Sequence, residues 1–329
     1  AGRPITRGKP ASDGPHGVVV LDEVRLRDTR RGRTLPLKVY APQEKGQYPV
    51  VIFSHGAGGS KDGFELLARF WATHGFVSIH PSHADAIRDG RRPASAKELL
   101  DRTIREPRAW EDRAADIRLV LDSLPQIERV SPKLQGKLDT RRIGMAGHSF
   151  GAYTAMLLGG TAIDVPNGEK DRSFADPRVT AVLAISPQGT GQQGLTLRSW
   201  RKMKLPLMTL TGSNDRGAGG QNPDWRKQPF RFSPAGDKYH VFIDGANHFS
   251  FAGEAPTAAR LAQLNQARGR RFNFRPGAGG EPSDIFNAVK HATLRYWKAY
   301  LQGDAEAREY LRSDQLVTDT GGRATLERR

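Results

Sequence analysis

The stretch Gly147-His148-Ser149-Phe150-Gly151 sets a serine between two glycines, after the strand-like run RRIGMA and before the helix-forming run AYTAMLLGG. A serine hydroxyl is a poor nucleophile. It needs a base within hydrogen-bond reach and donors aimed at the oxyanion that develops when it attacks a carbonyl. A sharp strand-to-helix corner meets part of that need: it lifts the hydroxyl clear of the backbone and points helix N-terminal N–H groups at the reacting oxygen. The glycines remove side chains that would collide at the turn. The chemistry to expect is acyl transfer.

The pentapeptide alone is weak in a chain with 36 glycines, where the bland reading of Ser149 is a helix-capping serine. Three further stretches give it context. FSHGAGGS, Phe53 to Ser60, closes an early strand-like run with a glycine-rich turn that can offer a backbone N–H to the same oxyanion. LTGSND ends a later strand with Asp215, and DGANHFSF places His248 in a loop beyond another strand. The chain order is thus serine, acid, histidine. Asp224 and Asp244 are the alternative acids, but Asp224 lies further down the same loop and Asp244 falls inside a strand-like run. His240 also lies within a strand-like run and is the poorer base.

His55 reads as a hydrogen-bonding residue of the glycine turn, and His148 as a neighbour of the serine that lines a groove. His80, His83 and Asp85 raise metal ligation, but so few ligands in a proline-containing loop make a poor closed site, so no metal is expected. That loop is expected to border the mouth of the site. RGAGG after Asp215 lacks the spacing and the following Lys-Ser or Lys-Thr of a phosphate cradle, and no cofactor is expected. Trp225 and the aromatics of NFRPGAGG offer a groove lining, but ordinary loop packing is the expected reading.

The elements that must hold these residues are legible in outline. Gly17 to Ala41 reads as a hairpin about Gly32. PVVIFS is a buried strand, KDGFELLARFWATHG a helix with Phe64, Leu67 and Phe70 or Trp71 on one face, and FVSIHP the next strand. His80 to Arg108 reads as an irregular insertion with a short helix near SAKELLDRTI, followed by the helix AWEDRAADIRLVLDSL. Strands are expected at VTAVLAISP, LPLMTLTG and KYHVFIDG, and a last helix at SDIFNAVKHATLRYWKAYL. Alternation of this kind predicts one α/β domain with a mainly parallel central sheet, helices on both faces and an N-terminal antiparallel hairpin. Its core spans about 17–302; residues 1–16 and 313–329 read as tails, and Gly253 to Pro282 as loop or decoration.

Composition narrows the function classes. The 329 residues contain no cysteine, which excludes disulfides, thiolate metal sites and a cysteine nucleophile. No run approaches the roughly 18 apolar residues of a membrane span. The formal charge is +16, but the arginines are scattered and form no basic stripe with interleaved aromatics, so no nucleic-acid partner is expected. The start at Ala1 fits an exported protein whose signal peptide has been removed.

Taken together, FSHGAGGS, GHSFG, TGSND and GANHF resemble the α/β-hydrolases of the bacterial group labelled "predicted dienelactone hydrolase", a group similar to platelet-activating-factor acetylhydrolases. The resemblance spans Pro49 to Phe251. It implies Ser149 as nucleophile, His248 as general base and then acid, Asp215 as the orienting carboxylate, and the backbone N–H groups of Ala57 and Phe150 as the oxyanion hole. True dienelactone hydrolases use a cysteine nucleophile, so the serine ester hydrolase branch is the better match. Only about twenty residues separate AISP from LPLM, which leaves no room for a large cap domain. An open cleft for small or bulky esters is therefore expected. A cutinase-like polyester hydrolase is the alternative, although SPQGTG stands where those enzymes carry a tryptophan. Another class of reading is a non-catalytic binding protein on a hydrolase scaffold; a peptidase of this fold would need a gating domain for which no segment is long enough.

Overall fold

The computed structural model describes residues 4–85, 96–253 and 282–329. Strands β1 (Val18–Asp28) and β2 (Arg33–Pro42) form the hairpin, followed by β3 (Tyr48–Ser54), helix α1 (Glu65–Thr73) and β4 (Val77–Pro81). Helices α2 (Ala96–Arg105), α3 (Pro107–Asp122) and α4 (Leu124–Arg129) lead to β5 (Leu138–His148) and α5 (Phe150–Gly159). After a small ribbon, β6 (Ala162–Ile163) with β7 (Arg172–Ser173), come β8 (Val179–Ile185) and β9 (Leu207–Asn214). Two short helices, α6 (Pro223–Arg226) and α7 (Gln228–Phe232), precede β10 (Lys238–Asn247). Helices α8 (Pro282–Trp297), α9 (Ala305–Arg312) and α10 (Gln315–Asp319) then lead to β11 (Ala324–Arg328).

Nine strands form one sheet in the order β1-β2-β4-β3-β5-β8-β9-β10-β11. The stretch from β4 to β10 is parallel throughout, and antiparallel strands close both edges. This is the expected α/β-hydrolase arrangement. Burial on both sides explains why the central strands read as continuous apolar runs: along β3, Val50 and Ile52 enter one core while Val51 and Phe53 enter the other. Helices α3 and α5 cover the first face through Trp110, Ile117, Phe150 and Tyr153. Helices α1 and α8 cover the second through Leu67, Trp71, Val289 and Trp297. Between β8 and β9, residues 186–206 form turns and bends without a helix.

The residues after Ser313 are not loop. They form α10 and β11, and β11 pairs antiparallel with β10 from Tyr239↔Arg328 to Ile243↔Ala324. Only Ala324 of β11 is buried, so its sequence carries no apolar run, and pairing to an existing edge makes it a strand. Residues 4–16 have no helix or strand, yet they are tied down: Thr6 and Lys9 donate to the carbonyls of Gly321 and Asp319, and Ala11 donates to Asn287 Oδ1. The segment 254–281, with the aromatics of NFRPGAGG, lies outside the described residues.

Helix α5 is buried on every side and packs hard against the end of β3. A Cβ on Gly151 would stand 1.8 Å from the Ser54 carbonyl oxygen and 2.8 Å from that of His55, and one on Gly147 would stand 2.1 Å from the Gly151 oxygen. These obstacles are backbone and cannot swing aside. Gly151→Ala is expected to cost about 3–5 kcal/mol in chemical denaturation. Gly63→Ala meets only ordinary contact at 3.5 Å and is expected to stay within about 0.5 kcal/mol of the wild type.

Candidate active site

The carboxyl ends of β3, β5, β8, β9 and β10 lie side by side, and each hands a residue to one site. Ser149 occupies the corner between β5 and α5 with φ 56° and ψ −117°, a conformation L-residues rarely adopt. Its amide donates to the Ile185 carbonyl at 2.9 Å, which anchors the corner to β8. Strain of this kind persists only where the surroundings over-determine it, and here the glycine-tight packing of α5 on β3 does so.

His248 lies just past β10, with Nε2 3.0 Å from Ser149 Oγ and Nδ1 2.9 Å from Asp215 Oδ1. Asp215 follows β9 and is fully buried. Burial alone would raise its pKa, but the Arg226 guanidinium, with His248 and Ser186, holds it down to about 2. An ionised carboxylate only accepts, so the His248 proton sits on Nδ1 and leaves Nε2 free to accept from the serine hydroxyl. Asp215 Oδ2 also accepts from Thr211 Oγ1 at 3.0 Å. The structure therefore brings Ser149, Asp215 and His248 together as one relay. Asp224 and Asp244 are exposed and stand apart from it, and His240 is buried in β10 with Nδ1 2.7 Å from Thr209 Oγ1.

Two neighbours of the acid escaped the sequence reading. Arg226 of α6 is 3% exposed, with Nε 2.9 Å from Asp215 Oδ1 and its other N–H groups donating to the carbonyls of Ser186, Pro187 and Arg216. Ser186, one residue past β8, has φ 55°, and its Oγ lies 2.8 Å from His248 Nδ1. The strand-end position of Ser186 was a usable signal; nothing marked Arg226 out from the other arginines.

The turn after β3 runs against the serine corner. A Cβ on Gly56 would lie 3.2 Å from His148 Nδ1 and 3.5 Å from Ser149 Cβ. Neither the N–H of Ala57 nor that of Phe150 has an acceptor among the described residues. His55 Nε2 accepts from the His83 amide at 3.0 Å, so its proton is on Nδ1, which donates to the Gly56 carbonyl at 2.6 Å. Burial, reinforced by Arg113, pushes the His55 pKa well below the ordinary range and keeps the ring neutral. Both ring nitrogens are thus committed to the turn. His148 is likewise engaged, with Nε2 2.8 Å from the His248 carbonyl oxygen and its ring between those of Phe64 and His248.

The residues weighed as metal ligands are used separately. His80 stacks on Phe53 and bonds Ser78, with burial lowering its pKa to about 3. Asp85 pairs with Arg113 at 2.7 Å. His83 lies between Ser54 Oγ and Asp116 Oδ2, both at 2.8 Å. Ser54, His83 and Asp116 thus repeat the serine-histidine-acid geometry, but all three are fully buried and no carbonyl substrate can reach them. Trp225 is buried, with Nε1 donating to the Thr190 carbonyl, as loop packing requires. Among the described residues no helix is long and apolar enough to cross a membrane.

Against known proteins, the family model described as Chlorophyllase matches residues 13–187, a span that includes the glycine turn and Ser149. The chlorophyllase type 0 of Chenopodium album is 25% identical over 154 residues, 46% of this chain and only 38% of that protein. Cutinase 1 of Thermobifida cellulosilytica is 23% identical over 243 residues, 73% of this chain and 74% of its own. The platelet-activating factor acetylhydrolase of Cavia porcellus is 26% identical over 149 residues, covering 37% and 34% of the two chains. The likeness to platelet-activating-factor acetylhydrolases expected from the motifs is among these matches.

Proposed function

The chain belongs to the chlorophyllase family, and from that membership and the site geometry we propose that it is a serine carboxylic ester hydrolase working through an acyl-enzyme. The observation that carries this reading is the relay itself: an accessible serine at a positive-φ corner, 3.0 Å from a histidine nitrogen whose partner nitrogen lies 2.9 Å from a buried carboxylate. In the first stage His248 Nε2 takes the Ser149 proton as Oγ attacks the ester carbonyl carbon. The N–H groups of Ala57 and Phe150 receive the tetrahedral oxyanion, and the alcohol departs with the proton from His248. Asp215 steadies the imidazolium without taking its proton. Water, deprotonated by the same histidine, then attacks the acyl-enzyme and releases the acid and Ser149.

Residues 186–206 supply no helical cover for the site, which favours a single-domain hydrolase acting on small or bulky esters in an open cleft. A second reading, hydrolysis of a polyester, is favoured by the cutinase match over 73% of the chain. A p-nitrophenyl ester series from acetate to long acyl chains tests the first reading, beside a peptide anilide with the same acyl group. Turnover of the esters with none of the anilide is the expected result, and the acyl profile then sizes the pocket. Preferential cleavage of the anilide would overturn it in favour of a peptidase. Incubation with a polyester film decides the second reading by whether soluble acids are released.

A further inference from the structure

Helix α3 interrupts its apolar stripe with an arginine. Arg113 stands among Trp110, Ala114 and Ile117 on the buried side of the helix and is 2% exposed. A cation there is costly unless its charge and N–H groups are all met, and an apolar residue of similar volume would pack more cheaply. What the guanidinium does in exchange is specific. Nη1 donates to the His55 carbonyl at 2.5 Å and to Ser54 Oγ at 3.2 Å; Nη2 donates to the Gly56 carbonyl at 3.3 Å and to Asp85 Oδ2 at 2.7 Å; Nε donates to Asp85 Oδ1 at 3.1 Å. The guanidinium carbon also lies 4.0 Å from the centroid of the Phe150 ring.

The Gly56 carbonyl and the Ala57 N–H are the two ends of one peptide unit. Hydrogen bonds from Arg113 and from His55 Nδ1 to that oxygen fix the plane of the peptide and polarise it, which makes the Ala57 N–H a stronger donor in a set direction. The next residue is held from the same group, because Asp85 Oδ2 accepts the Gly58 N–H at 3.2 Å. Through the Phe150 ring the guanidinium touches the residue that carries the other donor. Behind it, Ser54 leads through His83 to Asp116, and Asp116 pairs with Arg31 at 2.7 Å. The buried serine-histidine-acid repeat is thus the buttress of this arrangement.

We propose that Arg113 is a positioning residue that aims and polarises the backbone donors of the oxyanion site, an inference that rests on the reading of Ser149 as nucleophile and of Ala57 and Phe150 as donors. The test is Arg113→Lys, which keeps the charge and loses the planar fork. Active sites are counted by stoichiometric labelling with a fluorophosphonate, and kcat and KM are measured on matched oxoester and thionoester substrates. Sulfur accepts hydrogen bonds weakly, so the oxoester/thionoester ratio of kcat/KM reports the oxyanion donors. Removal of a whole donor costs on the order of 10²–10³ in kcat. Misaiming one is expected to lower kcat per labelled site about 10- to 100-fold, leave KM within about threefold, and cut the oxoester/thionoester ratio by about tenfold.

A purely structural arginine would lower the fraction of molecules that can be labelled and the Tm, while kcat per titrated site and the oxoester/thionoester ratio stayed at wild-type values; that result overturns the proposal. If Arg113→Lys does not fold, Asp85→Asn is measured in the same way, with a several-fold loss of kcat and a reduced ratio expected and wild-type values overturning it. Failure of the underlying reading looks different: Ser149→Ala would then hydrolyse the oxoester as the wild type does, and no label would attach at Ser149.

Discussion

Ser149→Ala is expected to lower kcat on p-nitrophenyl esters by on the order of 10⁵–10⁶, with KM nearly unchanged. The alanine removes the oxygen proposed to attack but leaves the glycine-tight corner, His248, Asp215 and the two proposed backbone donors where they are. Alanine meets the same backbone strain at φ 56° as serine does, so Tm is expected to move by no more than a few degrees. What remains should be the modest catalysis that substrate binding and an oxyanion site supply by themselves. If the folded variant turns over esters at a rate close to that of the wild type, the nucleophile lies elsewhere. If neither protein acts on any ester, the relay is an inherited shape and the non-catalytic binding reading takes its place.

The second large effect belongs to the acid. Asp215→Asn replaces an acceptor with a group that can donate to His248 Nδ1, which favours the tautomer with its proton on Nε2, facing the serine, where it cannot act as base. A loss in kcat of about 10⁴ is expected. Stability should fall as well, because Arg226 is left as a buried cation without its carboxylate. The sign of the pH dependence follows from a carboxyl whose folded-state pKa is depressed to about 2. Its contribution, on the order of 2 kcal/mol for a depression of this size, is complete above the ordinary carboxylate range and is lost as pH falls from about 4 towards 2. The Tm gap between wild type and Asp215→Asn is therefore expected to be full at neutral pH and to close on acidification. Asp224→Asn and Asp244→Asn, at exposed positions, should keep activity within about twofold. A large loss in either of them with Asp215→Asn active would reassign the acid.

How far the sequence carried this site depends on the kind of signal each residue leaves. The corner at Ser149 was legible because a tight turn demands glycine on both sides, and the close backbone approaches at Gly147 and Gly151 give the reason. His248 and Asp215 were legible because each follows an apolar run of strand length, and the ends of parallel strands gather at one edge. Arg113 left a fainter trace, a charge on the buried side of a helix that also carries Trp110, Ala114, Ile117, Val120 and Leu121, with Asp116 as a second charge. The Ser54, His83 and Asp116 repeat shows why residue types alone do not identify a site: the same geometry in a sealed core has no access to substrate.

The sequence by itself determined the alternation of strands and helices and the glycine-flanked corner, and it pointed to the chemistry proposed, since turn sterics and hydrophobic patterning act over a few residues. Only the tertiary structure decided that β11 joins the sheet, because a five-residue strand with one buried side chain gains its order from the edge it pairs with. It also decided that Arg226 shares the carboxylate of Asp215 and that Arg113 holds the Gly56 peptide. The guanidinium of Arg113 reaches across 57 residues of chain to its acceptor, and no local preference encodes such a contact. Burial makes these few contacts matter, because a cation removed from water must find every partner in the folded protein.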